Sequence, residues 1–289
     1  MKRHTRVQRQ PLENALVVEG GAMRGIFTAG VLDVFLERRF NPFALYIGVS
    51  AGASNIAAYL AEMRGRSRRI YTELSGRPEF ISVSRFLRGG HMMDLDWMWD
   101  ITISLMRLDL AAIYAKGRPF LVGLTDVASG TPIYHETSAG NLEHLLKASS
   151  ALPVFYRDFP VVDGRRVTDG GVSDPIPVAE AIRRGARRIM VIRSRPRGFR
   201  RRRDLSSYFV SWFLQRHSGL RATILNQNRI YNEAVSIIHD PPAGVSIVEV
   251  CPPPGFRLGR FSTAPAELEE GYAQGRAQAE GAIARWGRP

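Results

Sequence analysis

The sequence predicts an α/β fold with a mostly parallel central sheet. Three observations carry this. Ala15-Leu16-Val17-Val18-Glu19 and Leu45-Tyr46-Ile47-Gly48-Val49 are short apolar runs of the kind that form buried strands. Each ends in a glycine-containing turn, Gly20-Gly21 and Gly48 to Gly52. Each turn leads into a helix-spaced segment, Ile26 to Arg39 and Ser54 to Met63. Strand, glycine turn, helix, repeated, is the rhythm of parallel strands joined by helical crossovers.

The remaining elements follow in order. Residues 66–112, with Trp97, Trp99 and several methionines, read as helices. Phe120 to Thr125 and Pro132 to His135 are strands around the turn Ser129-Gly130. Asn141 to Ser149 is a short helix with Asn141 as its cap. Val161-Val162 and Arg165 to Val167 flank Asp163-Gly164 as a hairpin. Arg188 to Arg193 is a strand with an Ile-Met-Val-Ile centre. Ser206 to Ala234 reads as helix interrupted at Gly219, Ser246 to Val250 as a late strand, and Ala264 to Trp286 as a closing helix.

A chain of 289 residues suits one large α/β domain. No internal repeat or clean linker divides it. The expectation is a disordered basic tail over residues 1–14 and a single domain over 15–289, with the motifs confined to 15–195. Hydrophobic content of 45% is enough for an ordinary core.

The net charge of +13 is not ordinary. It is carried by arginine, since Lys2, Lys116 and Lys147 are the only lysines. Such a surface attracts polyanions, either nucleic acid or an anionic membrane. No helix-turn-helix, zinc ligand set or RNA-recognition signature is present, so no specific nucleic acid is expected. One cysteine, Cys251, excludes an intramolecular disulfide and a cysteine metal cluster. No metal or cofactor is expected. The polar, basic start does not resemble a signal peptide, and no run approaches the roughly 18 apolar residues of a membrane span. The expected location is cytoplasmic, with a peripheral contact at the inner face of the membrane.

The chemistry lies in three segments. Gly48-Val49-Ser50-Ala51-Gly52, at a strand-to-helix turn, has the form of a nucleophile elbow. Upstream, Glu19-Gly20-Gly21-Ala22-Met23-Arg24-Gly25 exposes backbone amides at a helix start. It suits an oxyanion hole, a dinucleotide loop or a plain tight turn. Against the dinucleotide reading, Ala22 replaces the middle glycine and would crowd a pyrophosphate. Downstream, Asp169-Gly170-Gly171 holds a carboxylate on a tight turn. Alone it is a common turn; with Ser50 it supplies a base for a nucleophile.

Together these segments resemble the patatin-like phospholipase family, whose pattern runs glycine-rich loop with a basic residue, then G-x-S-x-G, then D-G-G or D-G-A. Ala148 to Pro153 resembles the stretch before the aspartate, and Gly171 to Pro177 the stretch after it. The resemblance covers about residues 15–195. Glu19 stands where aspartate is usual, and Ala22 at a common glycine. The resemblance implies a three-layer α/β/α fold and a lipid acyl hydrolase of phospholipase A, lysophospholipase or esterase type. It implies a Ser50–Asp169 dyad acting through an acyl-enzyme on a lipid or other ester. The oxyanion loop would span Gly20, Gly21, Ala22, Arg24 and Gly25, with the amides of Gly21 and Ala22 binding the oxyanion and that of Ala51 adding another. Gly48, Gly52, Gly170 and Gly171 would shape the elbow and the dyad turn.

Several features carry two readings. A Ser-His-Asp triad would need His217 or His239, and neither stands in a recognisable loop signature. Arg24 orients the loop or meets an anionic headgroup, or it forms a surface salt bridge. Asp174 supports the dyad loop or serves as a turn cap. Leu95 to Leu110 lines an acyl pocket or forms a lid, or it packs a core. The Arg195–Arg203 loop and Tyr208, Phe209, Trp212 and Phe213 dock on an anionic bilayer, or the loop is solvated and the aromatics face the core. The rival to catalysis is a basic nucleic-acid- or membrane-binding module on the same fold.

Overall fold

In a computed structural model, which describes residues 12–203 and 205–288, strand and helix alternate as the sequence predicts. Most of the expected basic tail, residues 1–11, lies outside the described residues. At Asn14 the chain has already entered the sheet, opposite Arg188.

Strand β1 (Asn14–Val18) leads into α1 (Gly25–Glu37), and β2 (Leu45–Val49) into α2 (Ala51–Leu60). Residues 66–114 form short helices: α3 (Arg66–Arg69), α4 (Val83–Leu87), α5 (Leu95–Met106) and α6 (Leu110–Tyr114). A hairpin of β3 (Phe120–Asp126) and β4 (Pro132–Glu136) precedes α7 (Leu142–Ser149). Then come β5 (Val161–Val162), β6 (Arg165–Asp169), α8 (Val178–Arg183) and β7 (Arg188–Ile192). The last third holds α9 (Leu205–Phe213), α10 (Ser218–Leu225), α11 (Gln227–His239), β8 (Ser246–Val250) and α12 (Pro265–Trp286).

Strands β3, β2, β1, β7 and β8 run parallel in that order. Alternate strand residues face opposite sides. Leu16, Val18, Tyr46, Val122 and Ile192 pack with α1, α2, α7 and α12. Ala15, Val17, Ile47, Leu121 and Val191 pack with α8 and α11. The result is three layers, α/β/α. Each fully buried large side chain in these layers contributes about 1.5–3 kcal/mol.

Helix α1 is apolar on more than one face because it is covered on both sides. Phe27, Val31 and Phe35 meet the sheet-facing core, while Ile26 and Ala29 meet Leu268 and Tyr272 of α12. The two helices touch through glycines. A methyl at Gly30 would lie 2.2 Å from the Tyr272 carbonyl, and one at Gly275 2.0 Å from that of Phe27. The Tyr272 hydroxyl donates to Asp33 Oδ2 at 2.7 Å, tying the C-terminal helix to the first.

Three local expectations are corrected. Asn141 stands at the N-cap position of α7 as expected, but its side chain does not cap the helix; its Oδ1 accepts from the Ser138 amide at 2.7 Å and closes the preceding turn instead. The 206–234 segment breaks after Phe213 and at Asn226, and Gly219 lies inside α10. A methyl at Gly219 would sit 2.2 Å from the Ala128 carbonyl, so this glycine admits the β3–β4 turn and does not end a helix. The α9 aromatics do not face the core: Phe209 is 60% and Trp212 62% exposed. Among the described residues no helix is long and apolar enough to cross a membrane.

Candidate active site

The sheet determines where Ser50 lies. β2 ends at Val49, and Ser50 turns the chain into α2 with φ 53° and ψ −131°. A side chain in that region costs about 1–3 kcal/mol, so the surroundings must hold it there. The flanking glycines make room. A methyl at Gly48 would lie 2.7 Å from Ala53 Cα, and one at Gly52 2.6 Å from the Val18 carbonyl. The Ser50 amide donates to Ser149 Oγ at 2.7 Å, and that hydroxyl donates to the Gly123 carbonyl at 2.7 Å. Ser149, fully buried at the end of α7, thus anchors the elbow to β3.

Strand β3 also sets the position of Asp169. β4 pairs along Leu121–Thr125 and occupies one edge of β3. β2 and β6 must therefore share the other edge, β2 along Phe120–Gly123 and β6 along Leu124–Asp126. Val49 is opposite Gly123 and Asp169 opposite Leu124, so the two strands meet end to end. Gly170 fits this junction because a methyl there would be 2.1 Å from the Gly123 carbonyl. Thr125 Oγ1 donates to the Asp169 carbonyl at 2.8 Å and fixes the turn further.

The Asp169 carboxylate is buried. Its Oδ1 accepts the Gly171 amide at 2.7 Å. Burial raises its pKa to about 6, against the opposing effects of the neighbouring Ser50 hydroxyl, the Gly171 amide and Arg260. Ser50 is close enough to influence that ionisation, yet Oδ2 accepts no hydrogen bond of ordinary geometry. At neutral pH the group is mainly a carboxylate with one oxygen unengaged. Asp174 lies beyond the turn. It accepts from the Tyr134 hydroxyl, and burial raises its pKa to about 6. It ties the turn after Asp169 to β4 and, by accepting the Ile176 amide, also serves as a turn cap at Pro175, though not as a helix cap.

Ser50 faces the glycine loop between β1 and α1. The Gly20 amide is taken by the Pro175 carbonyl at 3.4 Å, and that of Met23 by Arg260 at 3.3 Å. The Gly25 amide points to the carbonyls of Ala22 and Met23. Among the described residues the amides of Gly21 and Ala22 have no such partner. Gly21 passes under Ser194, whose Oγ would be 2.7 Å from an added methyl. Gly25 lies under the Tyr71 hydroxyl, 2.2 Å from the same addition. Ala22 has φ 48°, the left-handed region that explains why a glycine is common at this place. Arg24 is buried, not a surface ion pair. Its Nε reaches Ser194 Oγ at 3.5 Å and its Nη1 has no partner.

Two cavities meet at Ser50. One, of about 590 Å³, is lined by the glycine loop, Asp169, Arg24, Arg195 and Arg260. The other, of about 110 Å³, is apolar and lined by Met23, Tyr71, Phe80, Leu95, Met98 and Trp99. The core reading of the Leu95–Leu110 stretch holds for Leu95 and Met98, which line this cavity and also pack with Leu74 and Phe80. No histidine among the described residues lines either cavity. His217 packs on Phe159, and His239 lies 3.5 Å from Glu249.

Sequence reasoning did not single out Ser149, Ser194 or Arg260. Ser149 fell within the stretch 148–153, and its spacing from Ser50 gave no sign of contact. Arg195 entered only as one end of a basic loop, and Arg260 was one arginine among many.

A family model described as Patatin-like phospholipase matches residues 16–182, and one described as a domain of unknown function, DUF6363, matches residues 217–288. The uncharacterized protein YjjU of Escherichia coli is 37% identical over 279 residues, 92% of this chain and 76% of that protein. An uncharacterized NTE family protein of Mycobacterium tuberculosis is 26% identical over 172 residues, 57% of this chain and 44% of its own length. Among solved structures, VipD from Legionella pneumophila is similar with a TM-score of 0.53 at 11% identity, over 96% of this chain and 67% of VipD, a likeness of fold. The chain belongs to the patatin-like phospholipase family, and at the level of that family it is a lipid hydrolase.

Proposed function

We propose that the protein is a lipid acyl hydrolase, of phospholipase A, lysophospholipase or esterase type, working through a Ser50–Asp169 dyad. The observation that carries this is the end-to-end meeting of β2 and β6 on β3, which sets a strained serine beside a buried carboxylate. Ser50 Oγ attacks the ester carbonyl carbon as its proton passes to Asp169 Oδ2. The carbonyl electron pair moves to oxygen, where the amides of Gly21 and Ala22 stabilise the charge. Collapse breaks the ester bond, and Asp169 returns the proton to the leaving alcohol. Water, deprotonated by Asp169, then releases the acyl group and restores Ser50. The apolar cavity suits the acyl part, and the arginine-lined one the alcohol part.

The exposed α9 aromatics suit a peripheral membrane contact. Tyr208, Phe209, Trp212 and Phe213 present apolar area beside the arginine-rich 195–203 loop. Docking on an anionic bilayer there brings lipid to the 590 Å³ cavity, because Arg200, Arg201 and Arg202 line its wall.

The test is labelling with a fluorophosphonate probe, wild type against Ser50→Ala, followed by hydrolysis of a lipid panel. Labelling confined to the wild type supports the reading. A folded wild-type protein that neither labels nor hydrolyses any ester is instead a binding module on this fold.

A further inference from the structure

The larger cavity has an unbalanced charge. Six arginines line it, at 24, 195, 200, 201, 202 and 260, against the two acids Glu19 and Asp169. Glu19 is already engaged: its Oε2 accepts the Ser194 amide at 2.7 Å and lies 3.9 Å from the buried Arg193. Asp169 faces Ser50. Among the described residues, Arg24, Arg195 and Arg260 make no ion pair.

These three are held in place by other contacts. Arg24 is 3% exposed and lines the cavity, and its Nη1 is buried with no hydrogen-bond partner. Arg195 stacks its guanidinium on the Phe199 ring at 4.6 Å. Arg260 is fixed to the glycine loop through its carbonyl, which accepts the Met23 amide at 3.3 Å. Burial and the like charges of Arg260 and Arg195 lower the Arg24 pKa to about 9. Glu19 offsets this only in part, and Arg195 and Arg260 are half-buried. A buried cation without an ion pair, as at Arg24, is costly, while guanidinium groups suit phosphate oxygens.

We propose that Arg24, Arg195 and Arg260 form a headgroup site for a phosphate monoester or other small anionic phosphate on the ester substrate, and that it selects such lipids over choline zwitterions. This rests on the hydrolase reading for its use, though not for its existence. Arg195 and Arg260 lie outside residues 16–182, and Arg260 falls within the 217–288 segment. The C-terminal third thereby completes the specificity of a site whose reacting groups lie in the first two thirds. A choline headgroup would bring a further cation among the arginines, whereas a phosphatidate-type headgroup leaves its charge available to them.

The test is calorimetric titration of the Ser50→Ala protein with dihexanoyl phosphatidate, dihexanoyl phosphatidylcholine and inorganic phosphate. Phosphatidate is expected to bind about tenfold or more tighter than either comparison, from charge-assisted bonds to the phosphate. Adding Arg260→Gln or Arg195→Gln should erase most of that preference, and Arg260→Lys should restore part of it. Melting curves establish that each variant is folded, and a salt titration of the Ser50→Ala protein reads the same charge without a further substitution. Equal affinity for the two lipids overturns the proposal. Inorganic phosphate binding as tightly as phosphatidate also overturns it, in favour of a free-phosphate site. Preference without fluorophosphonate labelling of the wild type leaves the anion site standing and removes the hydrolase reading; labelling without preference does the reverse.

Discussion

The Ser149 hydroxyl accepts the Ser50 amide and donates to the Gly123 carbonyl, each at 2.7 Å. One buried side chain thus ties the elbow to the strand that also positions Asp169. Replacing it by alanine leaves two buried backbone groups without partners. Ser149→Ala is expected to cost about 1–3 kcal/mol of stability, and to lower kcat more than it changes KM. Denaturant unfolding and steady-state ester hydrolysis check this; an unchanged kcat in a destabilised protein would give Ser149 a structural role only.

Ionisation of Asp169 predicts the pH profile. A base with a pKa raised to about 6 is half protonated there, so kcat/KM should rise with pH through about 6 and level off above it. A profile flat from pH 5 to 8 would remove Asp169 as the base.

The same shift bears on stability. Because the folded pKa lies above the ordinary 3.8, the favourable contribution of the neutral acid is complete below about 3.8 and lost as pH rises through about 6. Asp169→Asn removes the buried charge. It should match the wild type in stability at low pH and exceed it above pH 6, by at most on the order of 3 kcal/mol, while hydrolysis is lost. Paired urea titrations at pH 4 and pH 8 measure the difference; a variant less stable at pH 8 contradicts the expectation.

The glycine loop gives opposed expectations at neighbouring positions. Ala22→Gly relieves a positive φ and should be neutral or stabilising by up to about 1 kcal/mol. Gly21→Ala drives a methyl to within 2.8 Å of Ser194 Cβ and should displace the loop, with a loss of activity on the order of a hundredfold, the effect of a misplaced oxyanion donor. Thermal melts and kcat values separate the two.

Vesicle binding tests the exposed face of α9. Sedimentation with anionic vesicles should fall with added salt as charges are screened, and fall further in Phe209→Ser/Trp212→Ser. Equal binding to neutral and anionic vesicles would exclude the electrostatic part.

The parallel core and the turns that carry Ser50 and Asp169 were legible because they depend on local grammar. A serine between glycines after an apolar strand, and an aspartate before two glycines, carry their geometry with them. What was not legible depends on juxtaposition. Arg260 reaches the glycine loop from more than two hundred residues away, and nothing near it marks that contact. Gly219 looked like a helix breaker because a glycine's local cost is visible in sequence, whereas the carbonyl of Ala128 that requires it is not. The α9 aromatics show the same limit: their spacing fits a buried or an exposed face equally well.

The shared edge of β3 has a consequence for how such a protein can change. Ser50 and Asp169 are placed by two adjoining rungs of one ladder, Val49 on Gly123 and Asp169 on Leu124. The intervening segment from α3 to α5 supplies much of the wall of the apolar cavity, from Arg66 to Trp99, without setting the spacing of Ser50 and Asp169. On the proposed reading, a change in the length of that segment would alter the acyl cavity while the ladder that places Ser50 and Asp169 kept its register. The proposed hydrolase would then hold its reacting pair and its acyl wall on separate parts of the chain.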